Sequence, residues 1–299
     1  MSDDQTTPPA PPTTEAERVP ARIAMATPRQ PVEIDTSVAS EARVYDYLLG
    51  GTDNFDIDRM VAARQGEAVG GIDNARAAVR ANRVFLREVV RYLVGEAGVR
   101  QFLDIGSGIP TQDNVHEVAQ AASPDCRIVY VDYDPVVLAH AHKLLSSTPD
   151  GAADFVLGDF RHPERILDQA RHTLDLTQPV ALMLVSFLHF FADADDPHAT
   201  VARLVAALPS GSYLVVSHLT ADREPEKMRA LTEAPGDDAG YVFVMRSHDE
   251  VAAFLSGLEL TDAGGRAGVG SMESWLPDAT PAPQREWARM YCCAVGRKP

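Results

Sequence analysis

"FLDIGSGIPTQDN", residues 102–114, runs from apolar residues to an acid at Asp104, then to Gly106 and Gly108, and into an amphipathic stretch beginning near Thr111. Strand, glycine turn and helix in that order are the setting in which a glycine-rich loop holds a ligand. Glycine lets the backbone turn tightly and lets a ligand approach without meeting a Cβ. The plain alternative is a tight strand-to-helix turn that binds nothing.

Which ligand the turn suits is a question of charge. A dinucleotide fingerprint would put its third glycine at Thr111 and its pyrophosphate over the helix N-terminus. Asp113 is expected in that first helical turn, where it would repel a pyrophosphate while suiting the helix dipole. S-adenosylmethionine carries an ammonium, a carboxylate and a sulfonium but no phosphate. An acid at the end of the second strand can accept from its ribose hydroxyls.

Two further stretches supply matching elements. In "RIVYVDYDPVVL" Asp132 closes the apolar run as the candidate ribose ligand, Tyr133 can cover an adenine face, and Asp134 before Pro135 reads as a helix cap. In "DFVLGDFRHPERIL" the Asp159 carboxylate can accept from an exocyclic amine while Phe160 packs on the ring. The plain reading of Asp159 is a turn cap paired with Arg161.

The surrounding chain alternates short β-prone runs, "QFLDI", "RIVYVD", "DFVLGD", "PVALMLVSF" and "SYLVVSHL", with amphipathic stretches such as "NVHEVAQAA" and "HATVARLVAAL". That pattern predicts βαβ units, an α/β fold whose parallel sheet is buried on both faces. "HDEVAAFLSG" reads as a later helix, and "LELTDAG" and "ARMYCCAVGRK" as late strands. Upstream, "ARVYDYLLGG", "DIDRMVAARQ" and "ANRVFLREVVRYLVGEAG" predict a helical segment over residues 31–100 ahead of a main domain at 101–299. Residues 1–30, rich in Pro, Thr and Ala, read as a disordered tail.

The 299 residues carry a formal charge of -16, which disfavours nucleic acid and anionic membranes as partners. The acidic, proline-rich start does not resemble a signal peptide, and no apolar run is long enough to span a bilayer as a helix. Cys126, Cys292 and Cys293 lack ligand-like spacing and read as reduced thiols of a cytoplasmic protein. Asp53, Asp56 and Asp58 lack the order and central glycine of a calcium loop and read as solvated helix caps, so no metal is expected. Trp275 and Trp287 read as core residues.

Together with "ARVYDYLLGGTDNFDIDR" and "FLHFFADADDP", these motifs resemble an actinobacterial family of S-adenosylmethionine-dependent methyltransferases formerly classed as a domain of unknown function. The likeness covers residues 34–298. It implies a Rossmann-like class I methyltransferase fold, a mostly parallel seven-stranded sheet with a reversed last strand, helices on both faces and an N-terminal helical extension. It also implies that Asp104, Gly106 and Gly108 form the first cofactor loop, that Asp132 holds the ribose, and that Asp159 and Phe160 face the adenine. Tyr45, Tyr47 and the Gly50-Gly51 turn would cover the cofactor, with Ser186 after the fourth strand also in reach. Pro110 departs from the general pattern, standing where many methyltransferases have glycine.

Because a sulfonium is already activated, alignment of the acceptor is the main demand on the protein, and a base is needed only where the acceptor must lose a proton. His189, after the fourth strand, is the candidate base, with His218 a weaker one. The expected acceptor is a small molecule. A non-catalytic S-adenosylmethionine sensor and an NAD-dependent oxidoreductase are the competing functions.

Overall fold

A computed structural model describes residues 19–20, 34–110, 113–144, 146–261 and 268–299. Of the predicted tail only Val19–Pro20 falls within it, paired antiparallel with Ser146–Ser147. The centre is a sheet of β1 (Gln101–Ile105), β2 (Arg127–Asp132), β3 (Ala152–Leu157), β4 (Ala181–Val185), β5 (Tyr213–Leu219), β6 (Glu259–Leu260) and β7 (Tyr291–Arg297). Their spatial order is β3-β2-β1-β4-β5-β7-β6, and Gly270–Ser271 also pairs with β7. The first five run parallel, while β7 is antiparallel to both β5 and β6.

Every residue of β1, β4 and β5 is buried, which is why these strands read as unbroken apolar runs. Alternate residues serve opposite faces. Phe102, Ile128, Met183 and Val215 join one core; Leu103, Val129, Leu182 and Val216 join the other. The second core is closed by α6 (Pro163–Ala170), α7 (Pro197–Ala207) and α9 (His248–Ala253).

The first core receives α4 (Val115–Ala122), α5 (Pro135–Leu144) and the N-terminal helices α1 (Glu41–Leu49), α2 (Asp56–Ala68) and α3 (Ile72–Gly95). Helix α3 begins at Ile72 rather than near Ala81, and buries Val79, Asn82, Phe85, Leu86, Val89, Val90 and Leu93 along one stripe. Trp275 packs edge-on against Phe85, and Trp287 is also buried. Helices α8 (Pro225–Glu233) and α10 (Ala282–Trp287) were not among the sequence expectations.

Asp58 corrects one of those expectations. It is not a solvated cap: its carboxylate is fully buried, pairs with the Arg43 guanidinium at 3.0 Å, and accepts from the backbone N–H groups of Ser40 and Phe55. Arg43 also donates to the carbonyls of Val38 and Asp35. These bonds fix the entry to α1, and with it the direction in which Glu41, in the first turn, faces.

Candidate functional site

The glycine turn crosses the C-terminal end of β2. Gly106 and Gly108 adopt φ of +76° and +63°, a region that side chains disfavour. The Gly106 N–H donates to the Val131 carbonyl at 2.8 Å and the Gly108 N–H to Asp132 Oδ2 at 2.8 Å. A Cβ on Gly106 would lie 2.0 Å from the Phe187 ring. The other Asp132 oxygen accepts from the Asp134 N–H, and Asp134 itself accepts from the Val136 N–H at the start of α5 and from the Ser40 hydroxyl. Asp113 lies before α4, whose N-cap is Asn114 and whose first-turn acid is Glu117, so it is not in the helix's first turn as expected. Thr111 lies outside the described residues.

Above this turn is a cavity of about 760 Å³ at the C-terminal ends of the parallel strands. Asp104, Gly106 and Gly108 line it at and beyond the end of β1, Asp132 and Tyr133 at the end of β2, Asp159 and Phe160 after β3, and Ser186 after β4. Tyr45 reaches it from α1. Phe160 packs with Phe187 and Phe191, and Asp159 is held by the Arg161 side chain and backbone N–H, which is the plain reading of this acid, while it also lines the cavity.

Other expected site residues lie elsewhere. Gly50 is the left-handed C-cap of α1, and neither it nor Gly51 lines the cavity. Gly51 instead lies under the Asp46 carboxylate, which gathers Asp53 and Asn54 into a turn. Tyr47 packs against Arg76. His189, 1% exposed, is absent from the large cavity and lines a smaller inner one of about 60 Å³. Burial, with His218 and Arg246 nearby, holds its pKa well below the usual histidine range, which makes it a weak base. His218 places Nδ1 against the Leu219 carbonyl and Nε2 against Arg246, an arrangement that a neutral ring satisfies. Burial pushes its pKa down to about 4.

Sequence reading missed Glu41, Asn82, Arg83, Phe190 and Tyr241, which also line the cavity. Asn82 donates to the Tyr45 hydroxyl at 3.0 Å and accepts from Ser217, whose hydroxyl accepts from the Ser186 N–H. That chain holds Ser186 at φ +56° and ties α1 and α3 to the loop after β4. Asn82→Ala is expected to cost about 1–2 kcal/mol of stability in urea unfolding, since it takes one hydrogen bond from each of two hydroxyls, leaving Tyr45 only the Val79 carbonyl and Ser217 only the Ser186 N–H among the described residues. An unchanged unfolding midpoint would show that the network carries no such load.

Six carboxylates face the cavity, those of Glu41, Asp104, Asp132, Asp159, Asp195 and Asp237, against two guanidiniums, of Arg83 and Arg161. Arg161 is already paired with Asp159. Burial pushes Asp104 and Asp132 up to about 7, with Arg83 drawing Asp104 back and backbone N–H bonds drawing Asp132 back. Glu41 is also raised, first by burial. Its Oε1 accepts from the Tyr133 hydroxyl at 2.8 Å. Its Oε2 and the Ser107 hydroxyl are shielded from solvent without a hydrogen-bond partner among the described residues. The unpartnered Ser107 hydroxyl in the glycine turn, beside the carboxylates of Asp104, Asp132 and Asp159, fits a ligand with hydroxyl and amino groups and a positive charge, and S-adenosylmethionine has all three.

A model of the S-adenosyl methyltransferase family matches residues 27–299 of the chain. The fold is similar to that of a DUF574 family protein from Streptomyces avermitilis, with 41% identity, coverage of 89% of this chain and 100% of the other, and a TM-score of 0.81. A candidate methyltransferase from Thermobifida fusca shows 36% identity over 91% of this chain and 99% of its own, with a TM-score of 0.78. No curated protein sequence matches the chain.

Proposed function

The chain belongs to the S-adenosyl methyltransferase family, and on that premise we propose that it methylates a small-molecule acceptor held beside the cofactor in the 760 Å³ cavity. The cavity itself supports this reading most directly, because it continues from the glycine turn to the aromatic walls of Phe190 and Tyr241. When bound, S-adenosylmethionine supplies an electrophilic methyl group on a sulfonium centre.

The residues have separable tasks. Asp132 would accept from the ribose hydroxyls while keeping the Gly108 and Asp134 N–H groups in place. Tyr133 and Phe160 would flank the adenine, and Tyr45, Phe190 and Tyr241 would hold the acceptor and keep water out. The excess of acidic residues opposes phosphorylated or nucleic-acid acceptors. Three buried thiols that form no disulfide among the described residues support a reducing compartment, the cytoplasm. Among the described residues no helix is long and apolar enough to cross a membrane.

Calorimetric titration with S-adenosylmethionine, its demethylated product and NAD across pH tests the reading. The folded-state pKa values of Asp104 and Asp132 are raised, so their contribution to stability is full below the ordinary carboxylate pKa and is lost as pH rises through about 7. A bound cation offsets that loss. Affinity for S-adenosylmethionine is therefore expected to rise up to about tenfold between about pH 6 and 8, with proton release, while the uncharged-sulfur product gains less. Tight binding of NAD, or no binding of either sulfur ligand to folded protein, would overturn the reading.

A further inference from the structure

Three of the six cavity carboxylates, Asp104, Asp132 and Asp159, lie at the C-terminal ends of the strands that carry the cofactor loops. The other three come from elsewhere: Glu41 from α1, Asp195 from the segment before α7, and Asp237 from the turn after α8. Asp195 and Asp237 are exposed at the mouth, while Glu41 is further in. Neither cavity-lining arginine comes from these three elements. A cofactor with one net positive charge does not balance this second group, of which Asp195 alone feels Arg161, a guanidinium already paired with Asp159.

The shape adds a second observation. Glu41, Tyr45, Ser186, Phe190 and Tyr241 line both the large cavity and the small inner one. The inner walls are otherwise mainly apolar, with Leu48, Val79, Leu219 and Phe243 among them. A volume of about 60 Å³ accommodates a small apolar group, several times the room one water needs. Glu41 therefore sits where an apolar chamber opens into an acidic one, with one carboxylate oxygen shielded and unbonded.

We propose that the acceptor is an amine with a flat apolar body, whose nitrogen is received by Glu41 at the junction of the two cavities and whose body packs against Phe190 and Tyr241. This rests on the methyltransferase reading above. The acceptor ammonium is steered by Asp195 and Asp237 and gives one proton to the Glu41 carboxylate. The freed nitrogen pair then forms the N–C bond as the C–S pair passes to sulfur, and Glu41 returns its proton to solvent. The raised pKa of Glu41 suits it to hold that proton. His189 is the weaker acceptor on the same ground.

The test uses the full-length protein saturated with the demethylated cofactor and titrated calorimetrically with 2-phenylethylamine, 2-phenylethanol and phenylacetate. The amine is expected to bind about tenfold tighter than the alcohol, the increment of one charge-assisted bond, and the carboxylate not to bind. Glu41→Gln should erase most of that preference while the demethylated cofactor still binds, which also shows that the variant is folded. Asp237→Asn, at an exposed position, should weaken the amine alone and make its binding less sensitive to salt. An amine bound no better than the alcohol, no amine binding at all, or a preference untouched by Glu41→Gln overturns the inference. Failure of the demethylated cofactor to bind wild-type protein instead removes the methyltransferase reading beneath it.

Discussion

Asp132→Ala is expected to weaken S-adenosylmethionine binding by about 3 kcal/mol, roughly a hundredfold. Part of the loss is direct, since a carboxylate accepting ribose hydroxyls makes charge-assisted bonds worth about 1.5–3 kcal/mol. The rest is indirect: Asp132 holds the Gly108 and Asp134 N–H groups at 2.8 and 3.0 Å, so alanine releases the glycine turn and the start of α5 together. Asp132→Asn keeps one acceptor oxygen and can satisfy only part of this set, so it should fall between alanine and wild type. Calorimetry on variants shown by circular dichroism to be folded measures both. Affinity for Asp132→Ala within about threefold of wild type would remove this residue from the cofactor site.

Gly106→Ala should destabilise the fold by about 3 kcal/mol. The backbone there is at φ +76°, costing an L side chain about 1 kcal/mol, and the new methyl would meet the Phe187 ring at 2.0 Å, an overpacking cost of about 1–3 kcal/mol. Phe187 has little room to yield because Phe160 and Phe191 pack against it with ring centroids 5.2 and 5.0 Å away. Gly108→Ala is the internal control. Its φ is also positive, at +63°, but a Cβ there has nothing within 4 Å among the described residues, so only the backbone cost of about 1 kcal/mol remains. Equal losses of urea stability in the two variants would mean that the contact with Phe187 is not what requires glycine.

The strands and the glycine turn could be read from the sequence because a parallel strand buried on both faces leaves an unbroken apolar run, and an acid lining the cavity within its last two residues breaks that run. Asp104 and Asp132 are marked in this way. Glu41 is not: in sequence it is one more acid in a first helical turn, and only the packing of α1 onto the end of β2 turns it inward. Asn82 looks like an interruption in an apolar stripe, and its partners Tyr45 and Ser217 are far along the chain in both directions. Asp58 misled for the opposite reason, since spacing within an acidic cluster carries no information about a buried Arg43. Short helices that begin at or beside proline, such as α8 and α10, offer too few turns for a periodic signal to build up.

The reversed strand β7 bears on how the protein is made. It lies between β5 and β6, so during synthesis β5 must wait with an open edge until residues 291–297 have left the ribosome. Until then that edge can pair with any extended chain nearby, including another nascent copy. The wall of the cavity carrying Ser186 and the loop after β4 leans on that same late-closing part of the sheet through Ser217. The first four parallel strands can assemble early, but the pocket they surround takes its final form only once residues 291–297 have emerged and paired.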